Sequence, residues 1–212
     1  MNDFFEPPPP PPAEPEIYRE PPWAGPPQGT LPGVVALELV LAQTDKVAVC
    51  VTRVAAYPTG FAFDVVTMSA PGQSEGGFLD PMAIGSFGPL RHRGPGADGE
   101  LPATLIRIGV QFADGSKATN TSSGFDDGTD VPAGPMMRFQ GGGGSGANWR
   151  QGLWVWPLPP PGSLEFVCEW PAAGIPLTRH EIDAQTILDA VARAQIIFSD
   201  EHLPDRPRGV GP

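Results

Sequence analysis

The sequence predicts an all-β domain: an antiparallel β-sandwich of about eight strands, immunoglobulin-like or jelly-roll-like, with one C-terminal α-helix. Short apolar runs alternate with polar residues at a period of two, as in strands with one buried face. Turn residues interrupt these runs at roughly 8 to 12 residue spacing, and helical periodicity occurs only near the C-terminus, so consecutive strands are not joined by crossover helices.

The first 32 residues differ from the rest in composition, because they contain 12 of the 29 prolines. Proline fixes φ and has no N–H to donate, so this segment suits neither a helix nor a central strand. We expect residues 1–32 to form a disordered, proline-rich arm. The arm is either a solubilising tail or a docking peptide, which includes docking onto its own domain through Trp23.

Residues 33–198 are predicted to form the sandwich domain, beginning with three antiparallel strands. Turns are expected at 44–46 and 57–60, between runs of alternating apolar residues. The apolar positions that share a face are Leu37, Leu39, Leu41, Val47, Val49, Val51, Phe61, Phe63 and Val65. A long surface loop at about 70–102 follows, and its basic cluster Arg91-His92-Arg93 is interpreted as a solvated charge group, with an anion site as the alternative.

Later strands are predicted at 105–113, 118–121, 136–140, 152–158, 164–170 and 178–182. Asp114-Gly115 has the chemistry of a hairpin turn, and the prolines after 158 enforce another turn. Asp183 is a plausible N-cap for a helix over 183–198, and residues 199–212 are expected to be a disordered tail.

Gly141, Gly143 and Gly146 satisfy the spacing G-x-G-x-x-G, which is the fingerprint of dinucleotide-binding loops. That loop works only where a helix follows and directs its N-terminus at the pyrophosphate. A tryptophan-rich segment and four prolines follow here instead, so a conformational role for the glycines is favoured over phosphate binding.

Charge and cysteine content narrow the range of functions. The formal net charge is −11, which disfavours nucleic-acid and anionic-membrane partners. The N-terminus lacks the basic start and apolar core of a signal peptide, so we expect a cytoplasmic protein. Cys50 and Cys168 are predicted to be buried free thiols, and the acidic run at 125–130 lacks the ligand pattern of a calcium loop. Neither a metal nor another cofactor is expected.

No nucleophile elbow or histidine–cysteine pair at ligand spacing is present, so no catalytic residue is assigned. The distinctive feature is aromatic: Trp149, Trp154, Trp156 and Trp170 lie within 22 residues. One hypothesis is that these side chains fill the core of the sandwich, and the other is that they form an exposed binding platform. The candidate binding residues are Trp149, Trp154, Trp156, Trp170, Arg91 and Arg93.

The glycine run followed by W-V-W-P-L-P-P-P-G and F-V-C-E-W-P, together with Y-P-T-G-F and V-Q-F-A-D-G, resembles a family of small uncharacterised bacterial proteins of high-GC organisms. The resemblance covers about residues 30–195. That family has no known activity, so the resemblance supplies no catalytic residues. It agrees with an intracellular sandwich and implies nothing further.

These observations favour a non-catalytic binding or structural module, with another protein as the expected partner. A carbohydrate-binding or small-molecule-binding module that uses the tryptophan cluster is the alternative. A third hypothesis is an enzyme whose site is assembled from the loops at 70–102 and 120–135.

Overall fold

A computed structural model of the protein describes residues 20–71, 101–121, 131–145 and 147–199. Within these residues, two antiparallel sheets and a two-stranded ribbon form. The strands of the larger sheet are β2 (Gly33–Gln43), β3 (Val47–Tyr57), β4 (Gly60–Ser69), β7 (Met136–Ser145) and β8 (Asn148–Trp156). Those of the smaller sheet are β5 (Arg107–Gln111), β6 (Lys117–Thr119), β9 (Ser163–Trp170) and β10 (Ile175–Asp183). The larger sheet has the order β2-β3-β4-β8-β7, and the smaller has the order β10-β9-β5-β6.

The core lies between the inner faces of the two sheets, as the alternating pattern predicts. Phe63 of β4 meets Phe166 of β9 edge to face, with ring centroids 5.1 Å apart. Leu164, Phe166 and Cys168 have no exposed surface, and the valines of β3 are equally buried. The predicted all-β class is therefore confirmed, with nine strands in the two main sheets of the described part.

The C-terminal helix α1 (Gln185–Val191) is shorter than the predicted helix over 183–198. Its N-cap position is Ala184 rather than Asp183, although the Asp183 carboxylate accepts a hydrogen bond from the Gln185 N–H at 2.9 Å. Ile187 and Ala190 insert into the core at one end of the sandwich. The chain then leaves the helical path and forms strand β11 (Gln195–Ile196), because pairing with β1 (Thr30–Leu31) satisfies its backbone.

The expectation of a disordered arm over 1–32 is wrong for its last part. Residues 20–29 lie on the outer face of the larger sheet, where the Trp23 and Trp156 rings meet edge to face at 6.0 Å. Strand β1 then pairs with β11, and the Ile197 and Phe198 N–H groups both donate to the Gly29 carbonyl. Residues 1–19 and 200–212 lie outside the described residues, so those parts of the arm and tail predictions are untested.

The glycine run is part of strand β7, which was predicted to end at Gln140. Strand β8 follows the glycine run, whereas a dinucleotide-binding loop would need a helix at this place. A Cβ at Gly144 would lie 2.1 Å from the Asn148 carbonyl oxygen, and one at Gly142 would lie 2.8 Å from that of Arg150. The glycines therefore let two backbones approach more closely than side chains would allow.

Candidate functional site

The outer face of the smaller sheet carries an open depression of about 150 Å³. Its floor follows one row across the four strands: β10 pairs Arg179 with Val167, β5 pairs Gly109 with Val167, and Gly109 pairs with Thr119 of β6. Leu177, whose side chain is 55% exposed, forms an apolar wall. We call this feature the Gly109 depression.

The depression exists because the middle of this row has no side chain. A Cβ at Gly109 would lie 3.2 Å from Cγ2 of Thr119, so even alanine would press on the neighbouring strand. Glycine in a strand interior weakens the strand, and it commonly marks a place where another group approaches the backbone closely. Gly109 has that position here, between Arg107 and Gln111 on the same face.

Two ion pairs hold the charged side chains at the rim of the depression. Arg107 donates to the Glu169 carboxylate of β9, and its second nitrogen donates to the Leu101 carbonyl at 3.2 Å. On the other side, Arg179 Nη1 donates to Gln111 Oε1 at 3.0 Å and to Glu165 Oε2 at 2.6 Å. These pairs are partly exposed and contribute little to stability, but they fix the rim of the depression.

Lys117 completes the rim on the β6 side, and it makes no ion pair with any residue that the structure describes. The result is an apolar floor inside a charged rim, an arrangement typical of the centre of a protein interface. Small-molecule pockets usually enclose about 300 to 1,000 Å³. The Gly109 depression is smaller and more open, and its size suits a single apolar side chain.

The four clustered tryptophans do not form the exposed platform that was the alternative interpretation of the cluster. Trp154 is 0% exposed: it is packed against Tyr57, with centroids 5.6 Å apart, and it lies over Gly60, where a Cβ would be 2.7 Å from the indole. Trp170 is 3% exposed and belongs to the core between the sheets. Both indoles are packed in the interior, in agreement with the hypothesis that the clustered tryptophans have a structural role.

The other two tryptophans are half-buried on opposite faces of β8. Trp149 packs against the core, while Trp156 is in contact with Trp23 of the arm. Alternation along the strand separates these side chains, and the arm covers the outer pair. Arg91, Arg93 and the acidic run at 125–130 all lie outside the described residues.

Sequence reasoning missed this site. Glu165 and Glu169 are each paired with an arginine of a neighbouring strand. The glycine between Arg107 and Gln111 was the available signal, because a strand interior rarely tolerates glycine without a packing or binding reason.

Among the residues that the structure describes, no group of three or more potential metal ligands comes together. No helix in the described ranges is both long enough and apolar enough to cross a membrane.

No family model matches the chain, and neither the curated proteins nor the solved structures contain a significant match to it. The resemblance to small bacterial proteins therefore stays a prediction.

Proposed function

We propose that this chain is a non-catalytic protein-interaction module that binds its partner through the outer face of the smaller sheet. The observation that carries the proposal is the Gly109 depression, an apolar recess between two ion pairs on an otherwise charged face. Partner recognition at such sites depends on a few buried anchors surrounded by contacts that exclude water.

The partner would insert one apolar side chain above Gly109, against Val167 and Leu177. The ion pairs at the rim would then be covered at their edges while keeping their own partners, so little desolvation penalty would oppose binding. The burial of Trp154 and Trp170 supports this function over a carbohydrate platform, which needs accessible indole faces. The two free, buried cysteines fit a reducing cytoplasm, which we include in the proposal.

The test compares two half-exposed leucines. Leu177→Asp places a charge in the wall of the depression, whereas Leu31→Asp, at a site 52% exposed on the terminal ribbon, is the matched control. We expect Leu177→Asp to weaken binding of a partner isolated with the native chain by about thirtyfold, the size of a hot-spot loss near 2 kcal/mol.

Leu31→Asp should bind that partner like the native chain. Thermal melting of both variants shows whether the fold is retained. Unchanged partner affinity in a folded Leu177→Asp protein would remove the depression from the interface.

A further inference from the structure

The second feature that could receive a partner is the free edge of the larger sheet. Strand β7 is the terminal strand, and within the described residues it pairs with β8 alone. About half of its main-chain N–H and C=O groups therefore face away from β8, and β6 of the smaller sheet contacts β7 without pairing with it. Such an edge can accept an additional strand.

Natural edge strands are usually protected by charged side chains, proline or irregular pairing. The first half of β7 has such protection, with Arg138 and a register shift between Phe139 and Gly141. The arm also approaches there, because a Cβ at Gly25 would lie 3.6 Å from the Gln140 amide. The second half, 141–144, is four glycines that pair with β8 and carry no side chain to shield the backbone, with Gly141 at φ +115° beside the register shift.

Strands β7 and β8 carry positive charge, opposite in sign to that of the whole chain. No aspartate or glutamate occurs between 131 and 164, although the chain carries a net charge of −11. On the outer face, Arg53 and Arg150 both approach Oδ2 of Asp64, Arg150 at 3.9 Å. Two guanidinium groups thus share one carboxylate, and Arg150 is 64% exposed in its side chain. A positive charge is left over for a partner.

The two sides of β7 differ in chemistry. Arg138 is opposite Trp154, and Gly143 is opposite Arg150, which places both arginines on the outer side. Phe139 is opposite Leu153, on the core side, and remains 39% exposed at the edge. A strand added here would have its alternate side chains directed to these two sides.

We infer that β7 binds an extended, acidic segment of a partner protein, in which acidic and apolar residues alternate, as an additional antiparallel strand. Carboxylates on one side of the segment meet Arg150, and apolar side chains on the other side meet Phe139. Main-chain hydrogen bonds to 141–144 supply the part of the binding affinity that does not depend on the side chains of the segment. This site is on the other sheet from the Gly109 depression and does not depend on it.

The probe is a fluorescein-labelled eight-residue peptide that alternates glutamate and valine, titrated with the full chain and followed by fluorescence anisotropy. Three peptides serve as comparisons: lysine in place of glutamate, the same composition with the glutamates and valines in two blocks, and N-methyl groups at alternate residues. Each should bind at least about tenfold more weakly, because they lack the charge, the alternation or the N–H donors, respectively.

Protein variants assign the binding to β7. Arg150→Glu should reduce affinity for the alternating peptide by about tenfold, and Arg150→Gln by about threefold, in keeping with charge contacts near a surface. Arg179→Glu, at the rim of the Gly109 depression, is the matched control and should bind the peptide normally. Gly143→Pro should abolish binding where circular dichroism shows a native sheet, whereas Gly143→Ala, which adds its Cβ into open space, should not.

The inference is overturned if the N-methylated peptide binds equally well, or if Arg179→Glu rather than Arg150→Glu loses binding. It is also overturned if no peptide binds while the chain sediments as a dimer that Gly143→Pro converts to a monomer, because β7 would then pair with a second copy. None of these results bears on the Leu177→Asp test of the other sheet.

Discussion

Cys168 shows how the interior controls the chemistry of a single residue. Its side chain has no exposed surface and lies between the sheets beside Phe166 and Trp170. Burial, together with the smaller effect of the adjacent Glu169 carboxylate, raises the pKa of the Cys168 thiol to about 12. The thiolate is therefore suppressed at every physiological pH, and the residue behaves as a small apolar side chain.

The raised pKa of Cys168 predicts a loss of stability in alkali. In the unfolded chain the thiol titrates near its ordinary pKa of 9.0, while the folded thiol keeps its proton to about pH 12. The unfolded state therefore binds fewer protons between these values, and the free energy of unfolding should fall by about 1.4 kcal/mol per pH unit from this group. Below pH 9 its contribution is complete.

Guanidinium unfolding under reducing conditions, at pH 8 and at pH 10.5, measures this effect. Cys168→Ala removes the titrating group and retains Cys50, whose pKa is also raised by burial. The native chain should lose more stability between the two pH values than the variant does. Equal losses would show that the Cys168 thiol ionises in the folded protein.

At the level of elements, helix α1 closes one end of the sandwich. It contacts β3 and β2 of the larger sheet and β10 of the smaller one. Gly33 at the start of β2 makes this contact possible, because a Cβ there would lie 1.8 Å from the Ala190 carbonyl oxygen. The helix also receives support at its end, where Arg193 donates to the Val34 carbonyl at 2.8 Å.

A large-to-small change on the buried side of α1 should therefore be costly. Ile187→Ala deletes a side chain with no exposed surface and should lower the free energy of unfolding by about 2 to 5 kcal/mol. Thr186→Ala, on the exposed side of the same helix, should stay within about 0.5 kcal/mol of the native chain. Equal effects in urea unfolding would mean that α1 does not seal the core.

The difference between the predicted and observed helix has a tertiary cause. The helix predicted over 183–198 is present for its first turns, where Ile187 is buried. Phe198 is exposed, because the chain turns to pair β11 with β1 and thereby joins the two ends of the described chain. A local pattern cannot anticipate pairing with a strand about 165 residues earlier.

At the scale of the whole molecule, residues 20–29 act as a cover for the outer face of the larger sheet. Trp23 meets Trp156, and Ala24 is itself buried. The outer side of β8 is unusually apolar for a solvent-facing strand, and the arm removes part of that surface from water. The proline-rich arm thus continues into a segment with a defined structural role.

The Trp23 contact predicts how accessible the remaining tryptophans are. Trp23→Ala should uncover Trp156, so acrylamide should quench the fluorescence of the other four indoles more strongly and their emission should shift to the red. Trp23→Phe keeps an aromatic ring at the contact, so the same four indoles should stay protected from acrylamide in that variant. Quenching that is the same in both variants would show that the arm does not cover this face in solution.

Strand alternation and turn chemistry are local, so the amino-acid pattern predicts the sandwich class, the first hairpins and the burial of the inner faces. The hairpin at Asp114-Gly115 is an example: Gly115 adopts φ +84°, and Asp114 accepts hydrogen bonds from Ser116. The buried set on β9, from Leu164 to Trp170, follows the same local rule.

Which surfaces remain free depends on tertiary packing. Trp154 is a packed side chain rather than a platform because Tyr57 and Gly60, from a distant part of the chain, lie against its indole. The Gly109 depression likewise arises where four strands from separate segments bring Arg107, Glu169 and Arg179 around a missing side chain. Such sites depend on register between strands, and register is set by packing of the whole sheet rather than by any one segment.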